Sequence, residues 1–238
     1  MSMKQLTKPL TSAAGFALGG VIAMLLRFWF LRTGIDDRGL LATGHLGSIL
    51  SYVLCFGLPV AFFILLRKRE NSVRFSATPL SAAGYFILTI GLGVAAWKLI
   101  SSTTLVLHLA AGAFGIIGAI CALVAGIYAI RGFKTHPLFF CPGALFFACF
   151  LFCRYQQWSG EPEMQWYVFQ LLAAALSMIT LYQRSAFSVN MATGKSYLLW
   201  SRAAVLMCLA AIPGSQLPVL WLATAVFFVL DGCEETAP

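Results

Sequence analysis

Long apolar segments alternate with short polar ones along almost the whole chain. Four apolar segments are about twenty residues or longer, at 11–31, 45–66, 81–100 and 105–130. Four others are shorter, at 138–153, 166–182, 197–212 and 217–230. A helix needs about 17 to 25 apolar residues to cross a hydrocarbon layer about 30 Å thick. The pattern therefore predicts an all-α, polytopic transmembrane helical bundle of about eight spans.

The last segment, 217–230, is the shortest of the eight. At about 1.5 Å per residue its helix would be about 21 Å long. It therefore has to recruit flanking residues, thin the bilayer locally, or stop short of crossing.

The amino-acid composition agrees with a membrane protein over the whole length of the chain. Hydrophobic residues make up 60% of the 238 residues and charged residues 10%, a balance outside that of soluble domains. No long hydrophilic stretch separates the apolar segments. We expect a single transmembrane domain over 1–238, with the lipid bilayer as its main partner.

Lysine and arginine are distributed unevenly between the two sides that eight spans would create. Eleven of the sixteen fall on the side that holds both termini, namely Lys4, Lys8, Arg67, Lys68, Arg69, Arg74, Arg131, Lys134, Arg184, Lys195 and Arg202. Cytoplasmic loops carry the excess of basic residues, which predicts a cell membrane location, as in a bacterial inner membrane, with both termini cytoplasmic. The net charge of +8 then reflects topology, and no nucleic-acid partner is expected.

Tryptophan positions agree with this frame. Five tryptophans fall near predicted outer ends, where amphipathic rings favour the headgroup level: Trp29, Trp97, Trp158, Trp166 and Trp221. They are expected to anchor the bundle at the outer interface.

Two features of spacing concern how the helices pack. The spacing from proline to glycine is the same in Pro9–Gly15 and Pro137–Gly143, and each of these helices leads to a long outer loop. This similarity indicates a 4+4 parallel internal repeat. The alternative is that proline is common at the first turn of any helix. Small residues recur in the fourth predicted helix, at Gly115, Gly118, Ala122 and Gly126. Such faces let helices approach closely, here within the chain, with a homo-oligomer or a membrane protein partner as the alternative.

Ionisable side chains avoid the centres of the predicted spans and gather near their outer ends. Burying them in hydrocarbon is costly without a partner or water, so we interpret them as a candidate outer polar vestibule: Arg27, Asp36, Asp37, His45, Lys98, His108, Arg154, Glu161 and Glu163. The alternative is that the basic side chains extend to lipid phosphates. On the inner side, Arg202 and Asp231 are expected to pair.

Motifs of catalysis are missing from the sequence. It contains no HExxH zinc motif, no P-loop and no GxSxG nucleophile elbow. His45 and His108 could meet across helices as metal ligands, although nothing in the sequence fixes their approach. We therefore expect no catalytic residues, no metal and no cofactor.

Three stretches of the chain carry a resemblance: Arg154-Tyr-Gln-Gln-Trp, Trp166-Tyr-Val-Phe-Gln-Leu-Leu and Tyr182-Gln-Arg. Together with the residues between them, they resemble a family of bacterial multi-pass integral membrane proteins with no known activity. The resemblance implies a membrane location and brings no substrate or site residue with it.

Three functions of different classes remain open. The first hypothesis is a small-solute permease or a permease-like subunit that uses a cavity below the outer vestibule. The second is a non-transporting accessory, sensor or assembly protein, in keeping with the small-residue faces. The third is a membrane enzyme acting on a lipid-linked group, with Asp36, Asp37, His45 or His108 as its acid or base.

Overall fold

A computed structural model describes residues 3–34, 45–67, 79–102, 106–133, 135–158, 167–189, 191 and 193–231. Within these ranges the chain is helical and has no strand, which confirms the predicted all-α fold. The helices are α1 (Met3–Thr33), α2 (Leu46–Arg67), α3 (Pro79–Ser102), α4 (Val106–Ile130), α5 (Cys141–Trp158), α6 (Val168–Ser188), α7 (Gly194–Ala211) and α8 (Pro218–Asp231), with a 3₁₀ turn at Pro137–Phe140 before α5.

Five helical segments in the described ranges are long and apolar enough to cross a membrane. They are Ala13–Thr33, Leu46–Leu65, Leu80–Ser102, Val106–Ile130 and Pro137–Gln157. Helices of this length and composition belong in a lipid bilayer, so the prediction of a transmembrane helical protein is confirmed at this level. The helix α8 is apolar but shorter.

The helices α6 and α7 are long enough to span, yet their composition is more polar. In α7 every side chain from Ser201 to Ala211 is buried, so this part of the helix is surrounded by protein. A helix that faces other helices rather than lipid can carry polar residues where they find partners. The structure thus explains why the sequence of α7 is only moderately hydrophobic although most of the helix is buried among other helices.

Two helices extend beyond the apolar segments that predicted them. The prediction ended the fifth and sixth segments at Cys153 and Tyr182, whereas α5 continues to Trp158 and α6 to Ser188. Arg154 therefore lies inside α5, and Arg184, which was expected in an inner loop, lies inside α6. Both side chains are buried, because they meet polar partners inside the protein.

Six of the helices form a closed ring. Going around it, α3 packs on α4, α4 on α5, α5 on α6, α6 on α7, α7 on α8, and α8 on α3. The helices α1 and α2 pack together outside the ring, against α7. The predicted 4+4 repeat would relate α1 to α5, yet α1 packs on α7 whereas the main neighbours of α5 are α4 and α6. The repeat stays a prediction.

Aromatic side chains of α5 and α8 meet across the middle of the ring. The ring of Trp221 lies 5.7 Å from that of Phe150 and 6.3 Å from that of Phe147, and all three side chains are buried. Its indole N–H donates to the hydroxyl of Ser215 at 2.8 Å. The prediction that Trp221 anchors the bundle at the outer interface is wrong, because packing inside the ring takes it away from lipid. Trp29 and Trp97 are exposed.

The small residues of α4 lie at contacts with α3 and α5. Gly118 is so close to α5 that a Cβ atom built on it would lie 3.3 Å from the backbone of Gly143. At Gly115 a Cβ atom would lie 2.8 Å from Ala96 of α3, and at Gly126 it would lie 3.3 Å from Tyr85. Ala122 is buried in the same region. These residues set the spacing of α3, α4 and α5, which hold four of the five residues of the outer group of polar side chains described next.

Candidate functional site

Polar side chains gather in two clusters at opposite ends of the six-helix ring. We call Lys98, His108, Arg154, Gln157 and Gln216 the outer cluster, and Tyr85, Arg184, Tyr197, Arg202 and Asp231 the inner cluster. Helices of the ring run from one cluster to the other over similar lengths. On α3, Lys98 follows Tyr85 by 13 residues. Arg154 follows Phe140, whose ring lies 5.3 Å from the Arg184 guanidinium, by 14 residues, and Asp231 follows Leu217, the neighbour of Gln216, by 14 residues. Thirteen or fourteen residues of helix correspond to about 20 Å.

This separation is smaller than the thickness of the hydrocarbon layer, about 30 Å. In a bundle whose ring helices all span the bilayer, the two clusters are therefore closer together than the two headgroup layers. The interpretation that ionisable residues keep to the ends of the spans stays a prediction. The same spacing shows how α8 connects the two clusters with only 14 residues.

In the outer cluster, two glutamines connect three basic side chains. Gln216 accepts from Lys98 Nζ at its backbone oxygen, 3.2 Å, and from Arg154 Nη1 at Oε1, 2.9 Å. Gln157 accepts from the same Arg154 Nη1 at Oε1, 2.9 Å, and its Nε2 lies 3.2 Å from Nε2 of His108. The structure thus brings together three residues of the predicted vestibule, and it adds two glutamines that the sequence analysis did not single out.

These hydrogen bonds fix the protonation of His108. Because Oε1 of Gln157 accepts from Arg154, its Nε2 is the donor, and His108 Nε2 must accept. A neutral His108 then carries its proton on Nδ1. Within the described part of the chain, this Nδ1 is buried and has no hydrogen-bond partner, and the residue is only 3% exposed. A buried donor without an acceptor costs about 1–3 kcal/mol.

Arg27 belongs to the same end of the molecule but not to the outer cluster. It donates to the carbonyl oxygen of Ala210 at 3.2 Å and lies over the ring of Phe169, 4.4 Å from its centroid. Close by, Gln170 donates to the carbonyl oxygen of Gly214 at 3.3 Å. Gly214 has φ +73°, a conformation that glycine adopts without strain, and it makes the tight turn between α7 and α8. Arg27 thus contacts α6 and α7 close to this turn.

The other predicted vestibule residues lie elsewhere or outside the described residues. His45 contacts the hydroxyl of Thr33 at 3.3 Å and packs against the rings of Trp29 and Phe30 at the α1–α2 corner. It is thus in a different environment from His108, and the structure does not pair the two histidines. The four acids, Asp36, Asp37, Glu161 and Glu163, lie outside the described residues.

In the inner cluster, one carboxylate receives partners from three other helices. Arg184 of α6 approaches Asp231 with Nε 2.9 Å from Oδ2, and its Nη2 donates to Oδ1 at 3.2 Å. Tyr85 of α3 donates to Oδ1 at 3.4 Å, and Tyr197 of α7 donates to Oδ2. All four residues are buried. Each carboxylate oxygen thus has one arginine and one tyrosine contact, which is an arrangement that keeps the charge on Asp231 stable in an apolar surrounding.

Arg202 completes the inner end of α8 in another way. It is fully buried, and its Nη1 donates to the carbonyl oxygen of Phe228 in the last turn of α8, at 3.4 Å. A cation there interacts favourably with the negative end of the helix dipole. The sequence analysis expected Arg202 to pair with Asp231, whereas the structure places Arg184 in an ion pair with this carboxylate.

Beside Tyr85, a cavity of about 10 Å³ bordered by Gly118, Gly143 and apolar side chains has room for about one water molecule.

Part of the inner cluster escaped sequence analysis because Arg184 falls just beyond an apolar segment and was assigned to a loop. One signal could have found it. Gln170, Ser177, Thr180 and Arg184 lie three, four or seven residues apart, so that they form one polar stripe along α6, and all four are buried. A polar stripe on a helix between apolar segments indicates an inward-facing helix.

The chemistry of the two clusters differs. The outer cluster offers hydrogen-bond donors from Lys98, Arg154 and His108, which suit a negatively charged group. The inner cluster satisfies its carboxylate internally. Across the described ranges, no group of three or more His, Cys, Asp or Glu side chains is placed to hold a metal. Comparison with protein-family models, curated proteins and solved structures gave no match to this chain, so its function has to be inferred from these side chains and their places in the ring.

Proposed function

We propose that this protein is a small-solute permease or a permease-like subunit, and that its pathway follows the axis of the six-helix ring. One observation carries the proposal. The ring has a polar cluster at each end, separated by about 20 Å of helix, and the aromatic side chains of Phe147, Phe150 and Trp221 close the space between them. Polar groups at both ends of an apolar closure are what a solute needs to enter and leave a membrane protein.

The proposal includes a topology of eight spans in the cell membrane, with both termini in the cytoplasm. The connection that α8 makes between the two clusters supports a crossing by this short helix. The excess of Lys and Arg on the side of the termini supports the orientation. The proposal also keeps the 4+4 parallel internal repeat of the eight helices, in which α1 corresponds to α5.

A second candidate function is a non-transporting accessory, sensor or assembly protein. The observation that favours it is the dense packing of the ring centre, where Phe146, Phe147 and Trp221 are fully buried. An enzyme acting on a lipid-linked group has less support, because two of its candidate residues, His45 and His108, lie in separate surroundings.

The test is whether water reaches the ring centre. Cysteine is introduced at Phe147 or at Thr224, both fully buried on ring helices, and the chain in intact and permeabilised membranes is treated with a water-soluble thiol reagent. A permease that opens to either side admits the reagent, so we expect slow labelling at both positions. The matched control is Ile120→Cys on the exposed face of α4, which faces lipid and should stay unlabelled.

Labelling at Phe147→Cys or Thr224→Cys above the background of the natural cysteines would support transport. If neither position reacts from either side while a cysteine at the exposed Ser101 reacts readily, the ring does not open. That result would overturn the permease proposal and favour the accessory function.

A further inference from the structure

The indole of Trp221 crosses the centre of the six-helix ring. In the order of the ring, α5 and α8 lie three places apart in either direction, so they are opposite helices and not neighbours. Trp221 of α8 nevertheless has its ring 5.7 Å from that of Phe150 and 6.3 Å from that of Phe147, both on α5. It is the largest of the fully buried side chains in the described part of the chain. This indole therefore closes the space between two opposite helices.

One hydroxyl group fixes the direction in which this indole points. The indole N–H donates to Oγ of Ser215 at 2.8 Å, and the backbone N–H of Leu217 donates to the same oxygen at 3.0 Å. A buried indole N–H that loses its acceptor costs free energy, and Trp221 is fully buried. Ser215 therefore favours the orientation in which the indole lies across the ring.

Ser215 lies in the turn between α7 and α8, beside the outer cluster. The next residue in the chain, Gln216, accepts from Arg154 at 2.9 Å. Arg154 in turn lies over the ring of Phe150, 5.2 Å from its centroid. The outer cluster thus contacts both the turn that holds Trp221 and the phenylalanine against which Trp221 packs. A movement of this turn changes both contacts of the indole.

We propose that Trp221 is the gate of the permease pathway and that Ser215 holds this gate closed. The inference rests on the proposed function and specifies how the pathway is regulated. When the turn at Ser215 moves, the indole loses its acceptor and swings out of the space between α5 and α8. Water then has a path from the outer cluster to the apolar middle of the ring. Ser215 is a positioning residue, because it acts through Trp221.

The test measures how fast a water-soluble thiol reagent labels Thr224→Cys in the purified full chain in a neutral maltoside detergent. Thr224 is fully buried on α8, about one turn beyond Trp221, and mass spectrometry separates its labelling from that of the natural cysteines. Ser215→Ala removes the acceptor and should raise the labelling rate about fivefold, as expected for the loss of one ordinary hydrogen bond. Ser215→Thr keeps the hydroxyl group and should leave the rate close to that of the natural chain.

Three comparisons separate a gate from a general loosening of the protein. Ser102→Ala is the matched control, because this hydroxyl also donates to a backbone oxygen, at the outer end of α3, and its loss should leave the rate unchanged. Natural Cys208, buried on α7, should react no faster in Ser215→Ala. In a chain that carries Trp221→Phe, which removes the indole N–H, Ser215→Ala should have little further effect.

An increase that is confined to Ser215→Ala and depends on the indole establishes the gate. The inference is overturned if Ser215→Ala and Ser102→Ala give the same rate, if Cys208 accelerates equally, or if the effect of Ser215→Ala persists in full beside Trp221→Phe. Labelling of Thr224→Cys that Ser215→Ala does not accelerate overturns the gate and leaves the permease proposal in place. If Thr224→Cys stays unlabelled in every variant while Ser101→Cys reacts readily, both proposals are overturned, so the two failures are distinguishable.

Discussion

At the scale of the residue, Asp231 ends α8 in a position that would ordinarily be unfavourable. A carboxylate at a helix C-terminus faces the negative end of the dipole, and here it is also buried. Arg184 compensates with its ion pair, and Tyr85 and Tyr197 complete the shell of donors. A buried ion pair adds little to stability compared with well-packed apolar residues, but loss of one partner leaves a charge without compensation.

This asymmetry leads to a prediction for the pair. Asp231→Ala should lower the free energy of unfolding by about 3–5 kcal/mol, because Arg184 is left charged in an apolar surrounding. The double variant Asp231→Leu with Arg184→Met should recover most of that loss. Denaturation of purified protein in detergent measures both, with Arg32→Met as a control that should change little. If the double variant is as unstable as Asp231→Ala or more so, the pair is not coupled as described.

At the scale of the element, close approach of α4 and α5 depends on glycine. The Cβ position of Gly118 lies 3.3 Å from both Cα and N of Gly143, and backbone atoms cannot move aside without moving the helix. The sequence predicted a close-packing face in α4 from the spacing of its small residues. It could not predict which helix the face meets, because that depends on contacts far apart in the chain.

Gly118→Val should therefore destabilise the protein by about 1–3 kcal/mol through overpacking. Gly57→Val is the matched control, since Gly57 also lies within a helix and a Cβ atom there would meet nothing within 4 Å. Thermal unfolding of the two variants in the same detergent compares them directly. Similar unfolding temperatures for both would mean that α4 and α5 are not in close contact.

At the scale of the whole molecule, hydropathy alone predicted an all-helical membrane protein, because solvation by lipid acts on each residue independently of the others. It failed where internal partners matter. Trp221 was assigned to the interface but packs against Phe150, and Arg184 was assigned to a loop but binds Asp231. The positions of Lys98, His108 and Arg154 at the same ends of their helices were enough to predict that they lie close together. That His45 lies apart from them depends on the order of helices around the ring, which only the structure shows.

Whether α8 crosses the membrane decides the topology of the whole protein, and exposed positions at opposite ends of the ring can test it. If all eight helices cross, an impermeant thiol reagent on intact cells should label Ser101→Cys, at the end of α3, and should leave Ser188→Cys, at the end of α6, unlabelled until the cells are permeabilised. Natural Cys233, which follows α8 in sequence, should behave like Ser188→Cys. Rapid labelling of Cys233 with protection of Ser188→Cys would mean that α8 returns to the outer side. Labelling of both Cys233 and Ser188→Cys, with protection of Ser101→Cys, would mean that the orientation is the reverse of the proposed one. The number of spans would be unchanged, because α8 would still connect the two clusters. The distribution of Lys and Arg would then have failed as a guide to the cytoplasmic side.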